Sequence, residues 1–363
     1  LTAKDELKRV LVICEAGVNH NGSLDRALGL VDAAAQAGAD VVKFQTFKAE
    51  QIVTVAAPKA AYQDRNAPEY RSQLEMLKAL ELDAEAHRTL LQHCRRQGIQ
   101  FLSTPFDTQS VQLLAGELGL TLLKVSSGDL TNAPLLLRMA QSGAKLILST
   151  GMATMDEIEE ALGVVAFGYL GGKAPSRTAF REAWASEAGK AIVRERVSIL
   201  HCTSDYPAQL PDVNLRAMDT LRAHFGLRTG YSDHTQGIVI SLAAAARGAE
   251  IIEKHLTLDR NLPGPDHRAS LEPAEFAEMV AGIRAIEQAL GSGKKGPTEA
   301  ELSTRKVARK TIVAAKPIQR GEAFSEDNLT TKRAGAGMMP AELWDLVGRP
   351  AQRPYAADEL IEA

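Results

Sequence analysis

Along the first 290 residues, short apolar runs rich in β-branched side chains alternate with longer stretches whose apolar positions recur every three to four residues. The runs fall at 10–14 (VLVIC), 40–44 (DVVKF), 99–103 (IQFLS), 121–125 (TLLKV), 145–149 (KLILS), 197–201 (VSILH), 228–231 (RTGY) and 250–254 (EIIEK). Helical periodicity occupies 24–37, 83–97, 107–118, 132–142, 154–168, 213–225, 236–247 and 273–290. Runs that are apolar throughout suit strands buried on both faces, and strands alternating with helices suit a parallel sheet. Eight such repeats predict an α/β fold, a (β/α)8 TIM barrel.

Two stretches break the repeat. Residues 48–82 form a long excursion after the second strand, and 169–196 form another before the sixth. Connections this long are usually functional or carry structure of their own. The first leaves the C-terminal end of a strand and is placed to cover an active site; the second, on the helix-to-strand side, suits a structural or interface role. After residue 290 the pattern changes: 291–306, beginning GSGKKGP, reads as a linker. Residues 307–363 are β-rich and turn-rich and predict a small second domain.

Composition narrows the function. The 363 residues are 45% hydrophobic and 24% charged, with a formal charge of −3. No Lys/Arg block marks a nucleic-acid partner, and no apolar run reaches membrane-spanning length. Cys14, Cys94 and Cys202 are too widely spaced for a disulfide framework or a CxxC metal site. A cytoplasmic protein acting on small molecules is the expectation, with no nucleic acid or membrane partner.

The chemistry gathers where the apolar runs end. In a barrel of this kind the C-terminal ends of the strands carry the active site. Strand one runs into Glu15 (EAGVNHNG) and strand two into Lys43 and Gln45. Strand three gives Thr104, strand four Lys124, Ser127 and Asp129, and strand five Ser149. Strand six leads to Tyr206, strand seven to Ser232 and His234, and strand eight to Glu253, Lys254 and His255. Ser, Thr, Asp and Gly are also favoured at such turns for purely local reasons. Lysines there are not, since capping does not require them.

Hydroxyl-bearing and glycine-containing turns near Lys43 and Lys124 suit a phosphate ester, whose water shell they can replace. No GxxxxGK[ST] loop occurs, which argues against a nucleoside triphosphate. His234 and His255 end adjacent strands and could share a divalent cation, leaving coordination positions open for water and a substrate oxygen. His87, His93 and His224 fall in helices, while His20, His201 and His267 stay candidates by position. Pro263-Gly-Pro-Asp-His is a stiff turn that presents Asp266 for hydrogen bonds to hydroxyls. Glu253 and Lys254 are read as neighbours that set the local charge.

Taken in order, EAGVNHNG, VKFQTFKAE, FLSTPFD, KVSSGD, LSTGM, LHCTSDYPA, GYSDHT, EKHLTLD and PGPDH resemble the bacterial sialic acid synthases over almost the whole chain. The C-terminal segment resembles that family's antifreeze-like (SAF) domain. The resemblance implies condensation of phosphoenolpyruvate with an open-chain N-acetylated mannosamine, giving a nine-carbon 2-keto acid and phosphate. It implies that His234 and His255 bind a divalent metal, Mn2+ or Mg2+. Lys43, Thr104, Lys124, Ser127, Ser149 and Ser232 would hold phosphoenolpyruvate, and Glu15, Gln45, Tyr206 and Asp266 the amino sugar. Glu15, Asp129 and Lys124 form the implied catalytic set, with Glu15 or Asp129 as general base. Arg333 would reach the N-acetyl group from the partner subunit of a domain-swapped homodimer. Some members have Glu in place of Asp129 and Asn in place of Ser204, and Ala334 stands where a proline is expected.

The expected product is N-acetylneuraminic acid. The nearest alternative is a legionaminic or pseudaminic acid synthase acting on a diacetamido-trideoxy hexose, a choice that residues 48–82 would help make. A more remote alternative, from the C-terminal domain, is a non-enzymatic ice-binding or carbohydrate-binding protein.

Overall fold

The computed structural model describes residues 9–362. The chain divides into two units between Gly291 and Ser292. In the first, eight parallel strands are β1 (Leu11–Gly17), β2 (Val41–Thr46), β3 (Gln100–Pro105), β4 (Leu122–Val125), β5 (Lys145–Ser149), β6 (Val197–Cys202), β7 (Arg228–Asp233) and β8 (Ile251–His255). Their hydrogen-bonded order is β3-β2-β1-β8-β7-β6-β5-β4. The two end strands, β3 and β4, are neighbours without a shared ladder, so the barrel has one seam.

Helices follow the strands as the periodicity predicts: α1 (Leu24–Gln36) after β1, then α2 (Ala49–Ile52), α3 (Ala61–Asn66), α4 (Gln73–Leu80) and α5 (Ala84–Gln97) after β2. Next come α6 (Thr108–Val111), which continues as a π-helix over Gln112–Glu117, α7 (Ala133–Gln141) and α8 (Met155–Tyr169). The remainder are α9 (Arg177–Ala185), α10 (Glu187–Arg196), α11 (Ala217–Phe225), α12 (Val239–Ala246) and α13 (Pro273–Leu290). Their starts are local chemistry. Ser23, Asp83 and Thr154 each accept a backbone N–H of the first turn, and Glu157 returns to Thr154 to complete a capping box. Gly98 ends α5 in the left-handed conformation that only glycine adopts cheaply.

Side-chain direction alternates along every strand. Val12, Cys14, Val42, Phe44, Phe101, Leu146, Leu148, Ile199 and Ile252 point outward and join the helices in the main core. Ile13, Val41, Leu102, Ile147, Leu200 and Ile251 point inward and form a separate apolar cluster inside the barrel. β1, β2, β3 and β7 extend past the apolar runs that announced them. Their last inward residues are polar, with Ala16, Pro105, Thr46 and Asp233 facing outward between or beyond them, so the ladder continues where hydrophobicity alone seems to stop.

Both excursions carry structure. α2, α3 and α4 fold over an apolar cluster of Val18, Phe47, Ala67, Met76 and Leu80. α9 packs so closely on α8 that a Cβ at Gly163 would lie 2.7 Å from the Phe180 carbonyl oxygen, and the Phe167 and Phe180 rings meet edge to face. Among the described residues, no helix is long and apolar enough to cross a membrane.

In the second unit, β9 (Thr311–Ala314) pairs antiparallel with β10 (Leu329–Lys332), and α15 (Leu343–Leu346) follows. Ile312, Ile318, Phe324, Leu329, Leu346 and Tyr355 build its own core. Residues 299–306, read from the sequence as part of a linker, lie in α14 (Glu299–Ala308), started by a Thr298–Glu301 capping box.

Candidate active site

Two residues beyond the apolar cluster, on the same inward face, the barrel filling becomes charged. Ile13 gives way to Glu15, Val41 to Lys43, Leu102 to Thr104, Leu122 to Lys124, Ile147 to Ser149 and Ile251 to Glu253. These groups form the floor of a cavity of about 640 Å³. Every site residue expected from the sequence lines it except Arg333, which is exposed just beyond β10 in the second unit. A larger groove of about 920 Å³ runs over the outside of α7, α8 and α9 and takes in none of the strand-end groups.

At the centre of the floor, Lys43 Nζ lies 3.0 Å from Glu15 Oε2 and 3.1 Å from Glu253 Oε2. Lys124 Nζ lies 3.7 Å from Glu253 Oε1, donates to Ser149 Oγ at 2.5 Å and to the Val125 carbonyl at 3.1 Å. Ser232 Oγ donates to Glu253 Oε1 at 2.8 Å, and Gln45 Nε2 to Glu15 Oε1 at 3.3 Å. All four charged groups are nearly inaccessible to solvent. Oε2 of both glutamates is buried with no hydrogen-bond donor aligned on it and has only the ammonium charge of Lys43.

The environments drive the two carboxyls apart. Burial pushes Glu15 up to about 7, with Lys43 opposing and Glu253 reinforcing the shift. Against the same burial penalty, Lys124 and Lys43 hold Glu253 down at about 2. Burial would also discharge Lys43, but Glu15 and Glu253 outweigh it and raise its pKa; Lys124, with weaker compensation, is lowered. Such divergence suits a fixed anion at Glu253 and a proton-exchanging group at Glu15.

Beside this floor, His234 Nδ1 donates to the Thr203 carbonyl at 2.6 Å, which leaves the Nε2 lone pair directed inward, 3.4 Å from Ser232 Oγ. The His234 and His255 ring centroids are 5.6 Å apart, and the Tyr206 ring lies tilted against His234 with centroids 4.2 Å apart. Burial lowers both imidazole pKa values, His234 to about 4, so both rings are neutral. His255 Nδ1 is buried without a hydrogen-bond partner. Two neutral imidazoles with an unsatisfied nitrogen fit a cation that takes its remaining ligands from substrate and water. Among the described residues, no cluster of three or more His, Cys, Asp or Glu side chains forms a complete metal site.

Glycine makes the phosphate-type corner possible. Gly151 N donates to Ser127 Oγ at 3.1 Å, and a Cβ at Gly151 would lie 2.2 Å from Ser204 Oγ and 2.8 Å from Ser127 Oγ. The Ser204 hydroxyl is buried and unpartnered there. Asp129 is engaged in its own turn, accepting from Ser126 Oγ at 2.8 Å and Asn132 Nδ2 at 3.1 Å. Asp266 projects into the cavity, and burial pushes its carboxyl up to about 6.

Some positional expectations are corrected. His20, His201 and His267 lie outside the cavity. The His201 ring nitrogen Nε2 donates to the Val213 carbonyl, and His267 bridges Thr257 and Asn21. His20 Nδ1 accepts from Gly22 N in its own turn. Lys254 does not line the cavity: it points outward, fully buried, 3.0 Å from Asp233 Oδ2, and bears on the site through its charge, which helps to lower the pKa of His234 and His255. Glu253, in contrast, is central, and the spacing Ile251–Glu253–His255 marks it, because alternate residues of one strand share a face.

Residues 30–295 match the NeuB family and 309–363 the SAF domain. The chain is 47% identical over 355 residues to the N,N'-diacetyllegionaminic acid synthase of Campylobacter jejuni, covering 98% of this chain and 99% of that protein. Identity to the human N-acetylneuraminate-9-phosphate synthase is 33%, over 96% of this chain and 90% of that one. The crystal structure of the N-acetylneuraminic acid synthetase from Leptospira borgpetersenii superposes with a TM-score of 0.65 at 33% identity, covering 84% of this chain and 94% of that one. A barrel floored by paired lysines and glutamates, with a SAF domain after it, therefore belongs to the NeuB family of sialic-acid-type synthases, enzymes that condense phosphoenolpyruvate with an amino sugar.

Proposed function

We propose that the enzyme condenses phosphoenolpyruvate with a 2,4-diacetamido-2,4,6-trideoxy hexose, forming an N,N'-diacetyllegionaminic-type acid and phosphate. The observation that carries this is the identity of 47% to a legionaminic acid synthase across nearly the full length of both chains, against 33% to the N-acetylneuraminate-9-phosphate synthase. The order of the two sugars read from sequence is thereby reversed: N-acetylmannosamine becomes the second choice.

In this reading Lys43 and Lys124, with Thr104, Ser127, Ser149 and Ser232, hold the phosphate and carboxylate of phosphoenolpyruvate. Gln45, Tyr206 and Asp266 hold the sugar. His234 and His255 would hold a divalent cation, Mn2+ or Mg2+, whose contribution when bound is Lewis-acid polarisation of the aldehyde oxygen. The methylene carbon of phosphoenolpyruvate attacks the aldehyde carbon, the aldehyde oxygen takes up the π pair and a proton to become a hydroxyl, and positive charge develops at C2 of phosphoenolpyruvate beside the fixed negative charge of Glu253. Glu15, poised near neutrality, takes a proton from the water that adds at C2, and the C–O bond to phosphate then breaks. Asp129 is less suited to that task, since both its oxygens already accept hydrogen bonds.

We further propose a domain-swapped dimer in which Arg333 of one copy serves the cavity of another. Met152 and Leu210, exposed after β5 and β6, Val239, exposed at the start of α12, and Met339 and Trp344, exposed in the second unit, supply apolar surface for such an assembly.

Phosphate release is the test. The diacetamido-trideoxy sugar should be used with a kcat/KM at least about tenfold above that for N-acetylmannosamine, a ratio within the range hydrophobic recognition provides. The opposite preference would return N-acetylneuraminate synthesis to first place, and a His255→Ala control should lose metal-stimulated turnover.

A further inference from the structure

The cavity has two chemically different sides. Over β4 to β8 its lining is charged or hydrogen-bonding apart from Met152. Beyond β1 to β3 it presents half-buried apolar Ile52 from α2, Leu77 from α4 and Phe106 from the turn after β3, with Gln51, Gln63 and Gln73 among them. Behind these stand buried Val18, Phe47 and Met76, with Phe47 and Phe106 meeting edge to face at 6.1 Å. This cluster is separate from the core between strands and helices, so the 48–82 excursion folds around a small core whose exposed side is the cavity wall.

The wall also has a fixed position relative to Asp266. Asn66 Nδ2, at the end of α3, donates to the Pro265 carbonyl at 2.8 Å, fastening the excursion beside the loop that presents Asp266. If the aldehyde end of the sugar lies at the histidines and a mid-chain hydroxyl lies at Asp266, the remaining carbons lead toward Ile52, Leu77 and Phe106. C6 is the carbon farthest from the aldehyde in an open-chain hexose.

We propose that this wall selects the far end of the sugar, receiving a C6 methyl group and disfavouring a C6 hydroxymethyl. The inference rests on the phosphoenolpyruvate and hexosamine reading of the cavity. A methyl group against Ile52, Leu77 and Phe106 leaves water for an apolar surface, whereas a hydroxyl held against those three side chains loses water partners that they cannot replace. Gln63, an amide on the same side, already accepts the Ala60 N–H at 2.9 Å through its Oε1. Ile52, Leu77 and Phe106 are thus specificity residues that take no part in the chemistry.

The test uses a matched pair, N-acetylmannosamine and its 6-deoxy analogue, with phosphoenolpyruvate and manganese, reading kcat/KM by phosphate release. The parent enzyme should favour the 6-deoxy sugar by about 10- to 100-fold, the range in which a hydrophobic pocket separates such pairs. Ile52→Thr with Leu77→Gln should bring that ratio to within about threefold of unity while leaving the KM for phosphoenolpyruvate unchanged. Ile52→Thr alone, a change at a half-buried position, should move the ratio part of the way. Equal use of both sugars by the parent, or an unchanged ratio in active variants, would overturn the wall alone. Phosphate release with neither these sugars nor the diacetamido-trideoxy sugar would instead sink the reading of the cavity and the wall with it.

Discussion

The inside of the barrel holds two adjoining layers built from the same strands and the same face, yet opposite in character. Ile13, Val41, Leu102, Ile147 and Ile251 fill the lower layer as hydrocarbon. Glu15, Lys43, Thr104, Ser149 and Glu253, two residues on, form the upper one together with Lys124. The lower layer gains stability from burial and close packing. The upper one places four charges where water barely reaches, an arrangement that often stabilises less than a hydrocarbon core of equal volume. Stability and chemistry are separated by one step of the strand repeat, so substitutions in the two layers should fail in different ways.

The largest effect is expected from Glu15→Gln. It should lower kcat by about 10³-fold through loss of the general base, while the fold loses no more than about 1 kcal/mol of stability to urea. A comparable loss of stability would mean that the upper layer is structural after all. Ile147→Ala should do the reverse, costing about 2–4 kcal/mol in urea unfolding with the KM for phosphoenolpyruvate unchanged. A raised KM would blur the boundary between the layers.

Asp266 sharpens the contrast, because a site carboxyl raised by burial weakens the fold. Its pKa goes from 3.8 to about 6, so the native state holds a proton that the unfolded chain has lost. The stabilising protonated form is fully present below 3.8 and is lost as pH rises through about 6. Asp266→Asn should therefore be more stable than the parent at pH 8, by at most about 3 kcal/mol, with no advantage near pH 3.5, while binding the sugar less well. Equal melting curves at both pH values would count against a buried, unpaired carboxyl.

The smallest effect concerns Glu15 itself. With its pKa raised to about 7, the parent should lose kcat/KM about tenfold per pH unit below neutrality. Replacing it should remove that acidic limb. A limb that persisted in Glu15→Gln would assign it to another group.

Much of this was legible in the sequence. The eight strands showed because a strand covered by helices outside and filler inside is apolar on both faces. Their ends did not show: Lys43 and Gln45 interrupt hydrophobicity while Val42 and Phe44 continue the ladder. Glu253 could have been read from its spacing to Ile251 and His255, whereas its neighbour Lys254, identical in charge class to Lys43, faces the helices and pairs with Asp233. Ile52, Leu77 and Phe106 carried no such signal. Their direction is set by how three short helices settle on Phe47 and Met76, which no strand or helix period encodes.

The succession Glu253, Lys254, His255 on β8 has a consequence for folding fidelity. Glu253 and His255 look into the cavity, and Lys254 meets its counter-ion on the opposite side. A slip of this strand by a single residue would aim Lys254 at Lys43 and Lys124 and press a glutamate and a histidine into the hydrocarbon of α12 and α13. The side chains proposed for the reaction would thus also disfavour a misthreaded barrel.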